Sequence, residues 1–313
     1  MSSCKTDFNV NAPYKEEYVV YGLLELNQPT QIIKIERVFQ NNSSVSASQA
    51  AQIQDSLNTP DYLVVKLVEL QNGVPQTTTS LTKYYDTHKD PGTFAAPGQY
   101  LYNTPQGFAL NKNSSYKLTM DNPKTGYHGE ATTTIVNDIN NQIPKQGSEI
   151  NLPLTGSSPI EFTEGANATS YDVNIRIPYS ERDKKTFALL KRDTLEMNVL
   201  QNYTQQGGTI IYYVQGTDFY TFLASSLKAD TSIYRNMDSL QFIFTGAGID
   251  LTNYIEVNIP SIGIAQKKPD YTNVSNGLGI FSSRLTSEVK APLSDKSFAI
   301  LQTSDITKAL NFR

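Results

Sequence analysis

The chain has 313 residues, 38% of them hydrophobic, with 19 Tyr, 13 Phe and no Trp, a length that suggests about two domains with ample surface to bury. A net charge of −4 and a pI near 5.3 argue against a nucleic-acid surface, which needs a concentrated basic field to displace counterions. No run reaches the roughly 18 apolar residues that cross a bilayer as a helix.

Residues 1–16 read as a polar tether, and strands follow. Residues 17–24 and Thr30 to Phe39 predict the first two, and Ser46 to Ser56 a short helix. Asp61 to Leu70 and Val74 to Tyr85 flank Asn72-Gly73, the strongest hairpin signal in the chain. The stretch from Asp86 to Asn113 reads as irregular, and Ser115 to Asp121 and Tyr127 to Val136 as a hairpin turning at Asn122–Gly126. These strands predict an immunoglobulin-like β-sandwich over 17–137.

Residues 138–158, rich in Asn, Gln, Pro, Gly and Ser, read as a linker, and 159–313 as a second β-rich domain with short helices. Its expected strands are Pro159 to Thr163, Ser170 to Pro178, Lys185 to Val199, Thr209 to Val214, Ser239 to Thr245, Gly277 to Arg284 and Ser297 to Leu301. Helices are expected at Asp218 to Lys228 with Thr217 as cap, at Asp250 to Val257, and at Ser304 to Phe312 capped by Ser304. The fold class is therefore mainly β.

The residues offer little chemistry. His88 and His128 stand 40 positions apart, and a tetrahedral zinc site needs three or four protein ligands. No Gly-x-Ser-x-Gly elbow is present. Thr155-Gly156-Ser157-Ser158-Pro159 reads as linker, and Glu161 and Glu164 as charges guarding a strand edge. Gly246-Ala247-Gly248 lacks the third glycine of a dinucleotide fingerprint, and Gly277-Leu278-Gly279 reads as a site of close backbone approach. Arg182, Lys184, Lys185, Lys191 and Arg192 read as a solvated strand face or turn. No catalytic residue, metal site or cofactor is expected.

The single cysteine, Cys4, excludes an internal disulfide and heads the polar run Lys5–Pro13. With Tyr14 and Tyr18-Val19-Val20-Tyr21-Gly22-Leu23-Leu24, and with the late stretch Tyr271-Thr272-Asn273-Val274-Ser275-Asn276-Gly277-Leu278-Gly279-Ile280-Phe281, this opening resembles a family of Bacteroidetes outer-membrane lipoproteins. Members of that family carry a domain of unknown function and are often encoded near TonB-dependent transporters. The resemblance spans nearly the whole chain. It implies acylation at Cys4, a membrane partnership through that anchor, an outer-membrane location on the cell-surface or periplasmic side, and an outer-membrane protein as partner.

The expected function is a non-catalytic binding or accessory module, and the alternative a structural or adhesion component without a small ligand. Within the irregular segment, Phe94, Tyr100 and Tyr102 are the candidate contact residues. Either these rings plug the end of the sandwich, or Tyr100 and Tyr102, two apart, point to one side and meet a partner.

Overall fold

The computed structural model describes residues 15–38, 57–88, 98–204, 207–258 and 271–313. It is mainly β, with 52% strand and 13% helix. The chain divides into two compact units that interleave in sequence. Unit 1 comprises residues 1–24, 28–133 and 253–282, and unit 2 comprises 25–27, 134–252 and 283–313.

In unit 1, β1 (Tyr18–Glu25) pairs antiparallel with β2 (Ile32–Arg37). The sheet continues through β6 (Gln99–Asn103) to β5 (Thr82–Asp86). A second sheet has the order β4 (Val74–Ser80), β3 (Val64–Gln71), β7 (Ser115–Asn122), β8 (Tyr127–Thr134). Alternation drives both: Tyr18, Val20 and Leu24 are buried along β1, Tyr116, Leu118 and Met120 along β7, as expected of sheets with one face toward a core. Tyr18 and Tyr127, from different sheets, meet edge to face at 4.9 Å, so the arrangement is sandwich-like. The Asn72-Gly73 turn has φ of 49° and 79°, the left-handed pair that a tight hairpin requires.

Two expectations for this unit need correction. The run Val74 to Tyr85 is not one strand. It breaks at buried Leu81, whose N–H donates to the Val65 carbonyl, and β4 and β5 lie in different sheets. The irregular segment also contains a strand, β6, because its Gln-Tyr-Leu-Tyr-Asn run has the alternation and aromatic content of one. The helix expected at 46–56 lies outside the described residues.

In unit 2 the main sheet is β12 (Leu189–Tyr203), β11 (Ser170–Asp183), β15 (Leu240–Ala247) and β16 (Leu278–Ala291), with β14 (Ile233–Met237) also paired to β11. A smaller sheet runs β13 (Thr209–Gln215), β10 (Ser157–Thr163), β9 (Asn140–Ile143). Phe162 of the small sheet lies 5.4 Å from the Tyr171 ring and 5.2 Å from the Phe244 ring of the large one. Around them gather Ile160, Val173, Phe219, Leu223 and Leu301. The helices are α1 (Gly216–Ser226), α2 (Ile249–Asn258) and α3 (Asp295–Thr303).

Here the differences are larger. The expected linker 138–158 carries β9 and part of β10, and its Ile150 and Leu152 are core residues. Its polar composition hides this because backbone hydrogen bonds, not side-chain hydrophobicity, hold β9 against β10. Ser157 and Ser158 are accordingly strand residues, and Glu161 lies on the middle strand of its sheet rather than an edge. The expected strand Ser297 to Leu301 is helical: Ser294 caps α3 by accepting the Ser297 N–H, and Ser297 and Leu301, four apart, are the buried face. The expected terminal helix is a short 3-10 turn, Lys308–Leu310, since Ser304 ends α3 and Asn311 is left-handed. Thr217 does not cap α1 through its side chain; its hydroxyl donates to the Leu154 carbonyl. Residues 253–282 belong to unit 1 rather than to the C-terminal domain. Gly279 does mark a close approach: its φ is +89°, and a Cβ there would overlap the Val20 carbonyl oxygen.

Candidate interaction surface

The aromatic pair singled out in the sequence does not form a contact surface. Tyr102 is 2% exposed. Its hydroxyl shares a 2.6 Å hydrogen bond with the Thr59 hydroxyl, and burial pushes its pKa up to about 12. Tyr100 is half-buried, with the Lys83 ammonium 4.4 Å over its ring and the Tyr85 ring 5.1 Å away. The two do share one face of β6, but Tyr102 pairs with Ile33 and Lys83 in the middle of the sheet, whereas Tyr100 pairs only with Tyr85. Tyr102 is thus core packing, which corrects its assignment as a binding residue. Phe94 and Cys4 lie outside the described residues.

The histidines sit in local ion pairs. Exposed His88 contacts Asp86 at 3.3 Å. His128, on β8, contacts Asp121 at 2.7 Å and Glu130 at 3.5 Å. The Asp121 hydrogen bond is the main reason the His128 pKa is raised. Among the described residues, no group of three or more His, Cys, Asp or Glu side chains is placed to hold a metal ion.

Two groups of exposed apolar side chains lie in unit 2. The first is the outer face of the small sheet. Ile143, Glu161 and Ile211 stand opposite one another across its three strands, and Pro159 stands opposite Tyr213, so all five side chains share one face. Ile211 is 50% exposed and Tyr213 57%. Beside them a groove of about 500 Å³ is lined by Gln142, Ile143, Pro144, Ile150, Asn151 and Pro159, among others. Among the described residues, strand β13 is the end of this sheet and pairs with β10 alone. The groove is lined from β9, the start of β10 and residues 144–151; at the other edge, β13 can accept an extended segment whose backbone adds to the sheet and whose alternate side chains lie along Ile211 and Tyr213. Alternation alone could have flagged Ile211 and Tyr213, but which face lay outward depended on the distant β10.

The second place is the β11–β12 hairpin tip, where Phe187, Leu189 and Leu190 are exposed. The basic run read as a solvated face or turn flanks this tip. No family model matches the chain, and no match is found among curated proteins.

Proposed function

We propose that this chain is a non-catalytic, lipid-anchored binding or accessory module of the outer membrane, acylated at Cys4, whose partner is an outer-membrane protein of the kind found with TonB-dependent transporters. The resemblance of its two terminal stretches supports the compartment. The observation that carries the binding role is the exposed pair Ile211 and Tyr213 on edge strand β13. Large apolar side chains clustered in water on one sheet face mark a place for a partner, and here Ile143, Ile211 and Tyr213 cluster around the carboxylate of Glu161. In this reading the partner contributes an extended segment, and Tyr213 is the anchor, since exposed Tyr is enriched at contact centres.

The test is purification from native membranes. The expected result is an acylated N-terminal cysteine by mass spectrometry and a co-purifying outer-membrane barrel that is lost with Ile211→Asp/Tyr213→Asp. Retention of the barrel by that variant would remove the β13 face as the contact. An unmodified Cys4 in a membrane-free fraction would remove the anchor.

A further inference from the structure

The β11–β12 tip is built to hold its shape. The Asp183 carboxylate Oδ1 accepts the N–H groups of Lys185 and Thr186 at 2.8 and 2.7 Å, and the Thr186 hydroxyl at 3.0 Å. The Phe187 N–H donates to the Asp183 carbonyl, and Arg182 Nη1 donates to the Phe187 carbonyl at 3.1 Å. The bonds from Thr186, first its N–H and then its hydroxyl, together with that from the Lys185 N–H, hold the Asp183 carboxyl below its ordinary value. At the apex Phe187 has φ of +58°, a left-handed conformation that is uncommon and disfavoured for a bulky residue. The residue is nonetheless 59% exposed, with the Tyr234 ring 6.2 Å away. Leu190 is 57% exposed and Leu189 44%. Folding alone gives no reason to hold a large apolar ring in a disfavoured backbone state and leave most of it in water.

The charge around this apex is equally one-sided. Residues 182–192 hold five basic side chains and one acidic, a formal +4 in a chain of net −4, so the remainder carries −8. The flanking carboxylates are engaged locally, Glu181 by Arg235 and Asp193 by Lys191 at 2.6 Å, and Asp183 by its own turn, so over residues 181–193 the formal charge is +2. Apolar side chains at an apex with a basic collar beneath have the chemistry of a membrane interface, where hydrocarbon enters the acyl boundary and cations meet acidic headgroups. We infer that the β11–β12 tip is a membrane-docking element, setting Phe187, Leu189 and Leu190 into the surface of an anionic lipid bilayer. A bilayer suits this turn better than a protein pocket, because exposed Phe187, Leu189 and Leu190 and exposed Lys185 lie together on one turn at the surface.

This docking does not depend on acylation at Cys4, so the unacylated 313-residue chain is the right material. The chain contains no Trp, and Phe187→Trp therefore gives a single fluorescent reporter at the apex, with Leu190→Trp as a second should the first fold poorly. Vesicles of phosphatidylcholine containing phosphatidylglycerol should shift the emission to the blue and pellet the protein, and pure phosphatidylcholine vesicles should do neither. Lys184→Glu/Lys185→Glu should weaken vesicle binding by about tenfold or more, and added salt should weaken it in the wild type. Phe187→Asn should weaken binding while leaving the thermal midpoint unchanged or higher, since Asn accepts the left-handed conformation readily. Absence of binding to phosphatidylglycerol vesicles would overturn the inference. So would binding that survives both tip variants, or tip variants that change only self-association in sedimentation velocity.

Discussion

Arg235 of β14 and Glu181 of β11 stand opposite one another in register, and Arg235 donates from both Nε and Nη2 to one carboxylate oxygen, at 2.9 and 2.8 Å. The guanidinium is nearly sealed from solvent, with 3% of its side chain exposed. Its remaining donors close on backbone: Nη1 on the Leu310 carbonyl and Nη2 also on that of Lys228. One side chain thus joins a strand of the main sheet to the last residues of the chain. Arg235→Ala leaves Glu181 and two carbonyls without their donor, and should cost about 3 kcal/mol. Arg235→Lys should recover little of it, because an ammonium cannot reproduce the fork. Urea unfolding of the two variants checks this; a midpoint equal to wild type in either would show the contact to be dispensable.

The reassignment of Tyr102 makes a second prediction. Tyr102→Ala should empty a filled core site and cost about 3–5 kcal/mol. Tyr100→Ala, at a half-buried position, should cost well under half as much. If the two variants lowered the thermal midpoint equally, or if Tyr102→Ala left it unchanged, the core role would be wrong.

A third concerns pH. His128 has its pKa raised above the ordinary 6.5, first by the Asp121 hydrogen bond, with Glu130 adding to it. A group whose folded pKa is raised stabilises fully below its unfolded value and loses that contribution as pH rises through the folded one. The β7–β8 hairpin should therefore be held best below about pH 6.5 and loosen above it. The effect is small because the imidazole is half-exposed and solvent screens the pair. The thermal midpoint of the wild type should fall relative to His128→Gln as pH climbs through neutrality; parallel curves would exclude the contribution.

What the sequence discloses depends on how local the cause is. Asn72-Gly73 names its own turn, because the backbone angles it needs are written in those two residues. Tyr171 to Ile177 alternates cleanly because that strand has one buried face. β9 could not be read, since Asn140-Asn141-Gln142-Ile143 becomes a strand only when β10 arrives beside it. α3 reads as a strand because Phe298 and Ile300 suit one, while the deciding cap, Ser294, lies four residues before Phe298. Tyr100 and Tyr102 look alike in sequence and differ only in depth, which the neighbouring strands set. The basic run at 182–192 was visible as charge, but its meaning changed once Phe187, Leu189 and Leu190 were found exposed at the same apex.

The interleaving of the two units has a consequence for how the protein is made. Unit 1 needs residues 253–282, including Phe281, which is fully buried and would meet any Cβ placed on Gly22. A chain emerging from the ribosome at about 5–20 residues per second therefore carries an incomplete first unit until residue 282 has been synthesised. By then most of unit 2, through Thr252, has already emerged, while that unit still awaits the second half of β16 and helix α3. Unit 1 therefore begins before unit 2 along the chain but cannot be completed before most of unit 2 has been made.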